Sequence, residues 1–112
     1  MKSLTEEPYV VAIPMAVKLY AQVYKDRGFP GIRNGREEVL SKLREKGFSE
    51  GLAAIVLVVQ DSFIKTLNQR EACASTRLFE IPDDMQKGIA DASRKKYEDL
   101  LQKVEETGGF HT

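Results

Sequence analysis

Leu52-Ala53-Ala54-Ile55-Val56-Leu57-Val58-Val59 runs without a polar interruption through the middle of a chain of 112 residues in which 30% of side chains are charged. Two readings of this octet lead to different folds. The β-branched stretch from Ile55 to Val59 suits a buried strand, whereas Leu52, Ile55, Val56, Val59, Phe63 and Leu67 hold helical phase for longer than a strand commonly lasts. The helix is therefore preferred. A helix that is apolar on nearly every side must be covered on nearly every side, so the segment is expected at the centre of the fold or in a subunit interface. At eight residues it is far shorter than the ~20 needed to cross a bilayer, and Asp61, Lys65 and Arg70 follow closely. No membrane association is expected.

Working outward, Ile13, Val17, Tyr20 and Tyr24 recur at helical spacing with Lys18, Gln22 and Lys25 on the opposite face. Pro14 leaves two starts open for this first helix. It begins near Pro14 with Tyr9 to Ala12 extended, which is preferred, or near Pro8 with a kink. Gly28-Phe29-Pro30-Gly31 reads as a breaker. Asn34 then reads as the cap of a short second helix, with Glu37 reaching back, Val39, Leu40 and Leu43 facing inward and Gly47 closing the end near Lys46.

Ser49 is the expected cap of the third, apolar helix. Asp83 is the expected cap of the fourth, with Gln86 as its reciprocal partner and Ile89, Ser93, Tyr97, Leu100 and Val104 as the buried stripe. Its other face spaces Asp91, Lys95, Asp99 and Lys103 one turn apart, the pattern of a solvated surface. Between the last two helices, Ala72 to Pro82 reads as an extended connection. The prediction is an all-α protein, a compact bundle of about four helices around a central, nearly all-round apolar third helix. Residues 1–112 make one domain, with 1–12 and 108–112 less ordered.

Seventeen basic and seventeen acidic residues cancel, so the molecule lacks the long-range field that draws proteins onto nucleic acid or anionic lipid. Local excess exists between Lys25 and Lys46, where seven basic residues face four acidic ones. A single cysteine, Cys73, forms no internal disulfide, and the N-terminus does not read as a signal peptide. A reducing, cytoplasmic location is the default.

Residues that usually carry chemistry are sparse. A metal site needs at least three convergent ligands, and one His (His111) with one Cys far away in sequence does not suggest one. No catalytic set, cofactor or metal is expected. Glu37-Glu38, Asp83-Asp84 and Glu105-Glu106 are sequence neighbours, which a helix points about 100° apart, so they share no proton. Asp61 is the one carboxylate beside the apolar run, and an ordinary pairing with Lys65 accounts for it. Gly28 to Arg36 is a glycine-rich loop entering a helix, but it lacks the Gly-Lys-Ser/Thr ending of a phosphate loop.

Three functions remain. The first is a non-enzymatic interaction module, an adaptor, inhibitor or accessory subunit, that binds another protein through a helical surface. A homodimer through the third helix (Leu57, Ile64) or the first (Tyr20, Tyr24) is expected, because three short neighbours do not cover an all-round apolar helix. The second is a nucleic-acid-associated protein using a basic patch around residues 33–46, with Arg33, Arg36, Lys42 and Arg44 as anion contacts. The third is a small helical enzyme or ligand-binding bundle with Asp61, Tyr20 and Tyr24 in a pocket.

Overall fold

The computed structural model describes residues 8–49, 51–69 and 81–106. They form five helices, α1 (Pro8–Arg27), α2 (Phe29–Asn34), α3 (Arg36–Glu45), α4 (Leu52–Gln69) and α5 (Asp83–Glu106), and no strand occurs among the described residues. The protein is all-α, as the octet indicates. It has one helix more than expected, because the Gly28-Phe29-Pro30-Gly31 segment is the start of α2 rather than an irregular breaker.

The extra helix follows from what glycine and proline can do at a helix boundary. Gly28 adopts a φ of 75°, and its N–H donates to the Tyr24 carbonyl at 2.7 Å while its own carbonyl accepts from Gly31 at 3.0 Å. One residue thus closes α1 and opens α2. Pro30 sits in the first turn of α2, where the N–H it lacks would have had no intrahelical partner. At Gly31 a Cβ would lie 2.8 Å from Val23 Cγ1, so the absence of a side chain is what lets α2 fold back against the end of α1.

α1 spans Pro8–Arg27 with Pro14 inside it, which corrects the preferred later start. Proline at position 14 deprives the Val10 carbonyl of its helical donor. Both residues lie on the exposed side of α1, so the Val10 carbonyl is accessible to solvent. The inner side carries Ala12, Ile13, Ala16, Val17, Tyr20 and Tyr24, all buried.

The capping assignments move by one or two residues. Gly35, not Asn34, precedes α3 and its carbonyl accepts from Val39 at 3.0 Å, while the Asn34 side chain donates to the Pro30 carbonyl within α2. Gly51, not Ser49, starts α4, at a φ of 64° and with its carbonyl accepting from Ile55 at 2.9 Å. At α5 the first accepting carbonyl belongs to Pro82, which bonds Gln86 N–H at 2.9 Å, and the Gln86 side chain reaches back to the Ile81 carbonyl at 3.0 Å. Asp83 is thus the first helical residue and not the cap. The end of α3 is as the sequence indicates. Gly47, at a φ of 98°, donates to the Arg44 carbonyl and Phe48 donates to that of Leu43, so two of the last carbonyls of the helix are satisfied.

α1, α4 and α5 pack on one another, and α2 and α3 lie against α1 and α4. Both α1 and α4 touch all four other helices, so the centre is shared between them. α5 runs antiparallel to α1. Tyr9 packs against Tyr97 at one end, with ring centroids 5.1 Å apart and planes tilted by 47°, and Ala21 lies near Ile81 and Asp83 at the other. Leu52, Ile55, Val56, Val58, Val59, Phe63 and Leu67 of α4 are buried. The covering of α4 is incomplete, which corrects the nearly all-round expectation. Ala53, Leu57, Asp61 and Lys65 follow one another at single-turn spacing along an exposed line, and Leu57 is 44% exposed. The four neighbouring helices approach from the remaining sides.

Among the described residues, one buried side-chain polar atom has no hydrogen-bond partner, the Tyr20 hydroxyl. Its ring packs 6.1 Å from that of Phe63. Burial pushes the Tyr20 phenol above its ordinary value of 10.0, an effect that the positive charge of Arg36 partly offsets. Because ionisation is disfavoured in the fold and allowed in the unfolded chain, Tyr20 contributes stability that is complete below pH ~10 and declines above it. Tyr20→Phe is expected to be neutral to stabilising by up to about 1 kcal/mol at pH 7, since it removes an unpaired buried hydroxyl. Its advantage over wild type is expected to widen between pH 10 and pH 12. Urea titrations across that range check this, and a loss of stability at pH 7 would show that the hydroxyl has a partner.

Candidate functional site

The residues singled out by sequence do not converge on one site. Tyr20 and Tyr24, expected at an interface, are 0% and 2% exposed inside their own chain. The reason is periodicity. They share the inward stripe of α1 with Ile13 and Val17, and α4 and α5 already cover it. Ile64 is half-buried against the core, whereas Leu57 stands open to solvent. A pocket built on Asp61, Tyr20 and Tyr24 is therefore not formed: the tyrosines point into the core and Asp61 is on the surface.

Arg33, Arg36, Lys42 and Arg44 are all exposed, Arg33 in the last turn of α2 and the other three on α3. Glu38 lies among them. It pairs with Arg27 and, at 3.3 Å, with Lys42. The Arg27 guanidinium is the main reason that the Glu38 carboxyl is held below the usual carboxylate range. An anionic ligand here meets a carboxylate already neutralising two of the surrounding cations.

What the structure brings together lies elsewhere, between α4 and α5. Leu57 and Asp61 of α4 and Lys96, Asp99, Leu100 and Lys103 of α5 line a groove of about 380 Å³. Leu57 is 44% exposed and Leu100 41%, and Lys96 pairs with Asp61 at 3.7 Å across the groove. Asp61 thus meets a lysine of another helix instead of the expected Lys65. The following residue, Leu101, is 38% exposed.

Leu57 was indicated by sequence, but Leu100 was placed in the buried stripe of α5 and Leu101 was not singled out. Helical phase does direct Leu100 inward, one turn after the buried Tyr97. Among the described residues the covering runs out instead. Tyr9, near the start of α1, meets Tyr97 and donates to Glu98 at 2.9 Å, so α5 beyond Glu98 runs past the described end of α1. The available signal is length: α5 has 24 residues against 20 in α1 and 18 in α4, about 36, 30 and 27 Å.

Among the described residues no three His, Cys, Asp or Glu side chains are grouped to hold a metal ion, and no helix is long and apolar enough to cross a membrane. Cys73 and His111 lie outside the described residues, as does Val104's side chain. Comparison with protein-family models, with curated proteins and with solved structures gives no match.

Proposed function

We propose that this chain is a non-enzymatic protein-interaction module, an adaptor, inhibitor or accessory subunit, that acts through its α4–α5 face. One observation carries the reading. Leu57 and Leu100 come from separate helices, line one groove, and remain 44% and 41% exposed while charged side chains ring them. Apolar contacts enclosed by a polar rim are the usual anatomy of a protein interface. The basic surface of α2 and α3 offers less for nucleic acid, because Lys42 is paired with Glu38, as is the adjacent Arg27 of α1. A single cysteine fits a reducing compartment such as the cytoplasm.

Site-specific photo-crosslinking tests this. A photoreactive side chain at position 57 is expected to give a discrete protein adduct in cells, and one at position 44 is expected to give none. Nucleic-acid adducts from position 44, with none from position 57, would replace this reading by the basic-patch one.

A further inference from the structure

We infer that the occupant of the α4–α5 groove is a second copy of this chain, docked about a two-fold axis; this rests on the reading of that groove as a protein-binding face. The rim selects such a partner by its charge pattern. Among the described residues it carries two acids, Asp61 and Asp99, and two lysines, Lys96 and Lys103, a mixed pattern rather than one that selects an acidic or a basic partner. A two-fold axis running along the groove supplies the complement without any other protein, because Asp61 and Lys96 lie across the groove from one another and each then faces its opposite charge in the second copy. The apolar part is self-complementary in the same sense. Each copy has both projecting leucines, Leu57 and Leu100, and the groove beside them.

Two further features favour self-association. The Asp61 and Lys96 side chains are 57% and 47% exposed and stand 3.7 Å apart, a loose surface pair that exchanges partners at little cost. The chain's formal charge of +0 means that two copies do not repel at long range. The groove is edged by charged side chains, so association is expected to weaken with salt.

The test uses charge reversal on the full chain. Sedimentation equilibrium at low salt, over roughly micromolar to submillimolar concentrations, is expected to show wild type approaching twice its 12.6 kDa. An acid-reversed variant (Asp61→Lys with Asp99→Lys) and a base-reversed variant (Lys96→Glu with Lys103→Glu) are each expected to associate at least about tenfold more weakly. An equimolar mixture of the two is expected to recover association, now as a mixed pair. Circular dichroism melts verify that both variants fold.

A monomeric wild type, variants that associate as wild type does, or a mixture that fails to recover would each overturn the inference. A monomer whose position 57 still crosslinks to a different protein overturns the second copy and leaves the interaction face standing. A monomer with no adduct from position 57 removes both.

Discussion

Val56→Asp is expected to unfold the protein, and Leu57→Asp, one position along the same helix, is expected to leave it folded. Val56 is 0% exposed within the core shared by α1 and α4, whereas Leu57 is 44% exposed on the uncovered line of α4. A carboxylate at position 56 has to be buried without a partner or else protonated, at a cost above about 4 kcal/mol. A domain of this size has a total stability of roughly 5–15 kcal/mol, so that loss removes much or all of it. At position 57 the carboxylate stays in water and the stability change is expected within about 0.5 kcal/mol. Thermal melts followed by circular dichroism decide this. A cooperative, wild-type melt for Val56→Asp would mean that the octet is not core, and unfolding by Leu57→Asp would mean that the exposed line of α4 is covered within the monomer.

Gln60→Leu is expected to cost about 2 kcal/mol although it replaces a polar residue by an apolar one in a buried position. Gln60 is 5% exposed, and its side-chain amide donates to the Ile32 carbonyl at 3.0 Å and to the Arg33 carbonyl at 3.1 Å. These belong to the last turn of α2, where carbonyls have no intrahelical donor. One amide thus satisfies two orphan acceptors and fastens a six-residue helix to α4. Leucine fills the space and leaves both carbonyls without that donor. Gln60→Glu is expected to be worse than Gln60→Leu at pH 7, because an ionised carboxylate faces two carbonyl oxygens, and to recover as acid protonates it into a donor. Urea unfolding at pH 7 and at pH 4 measures both effects. Equal stability of wild type and Gln60→Leu at pH 7 would show that water takes over the role of the amide.

Parts of this fold are legible in the sequence because the packing agrees with local periodicity. The stripe Ile13, Val17, Tyr20 and Tyr24, the pair Val39 and Leu43, and the inward residues of the octet are all buried, since each repeats at the helical period and each finds a neighbour. Helix boundaries were less legible. Asn34, Ser49 and Asp83 have capping side chains, yet Gly35, Gly51 and Pro82 supply the first accepting carbonyls. Any backbone carbonyl can do that, and the choice among adjacent residues falls to the direction in which tertiary packing takes the chain. At Gly51 the selection is visible: a Cβ there would collide with the Tyr97 hydroxyl, a contact between residues far apart in sequence. The same limit applies to the groove. Leu100 carries the periodicity of a buried residue, and only the lengths and offsets of α1 and α5 expose it.

The single-residue joints at Gly28 and Gly35 bear on how the chain reaches this fold. α1, α2 and α3 follow one another with one residue between successive helices, and α1 already touches both α2 and α3. Closing contacts over such short separations costs little chain entropy, and topologies rich in local contacts fold fast. Residues 8–45 are therefore expected to assemble early, as a template on which α4 and then α5 condense. The order has a kinetic signature: destabilising changes at the Gly31–Val23 contact slow refolding, while those at the far end of α5 chiefly hasten unfolding.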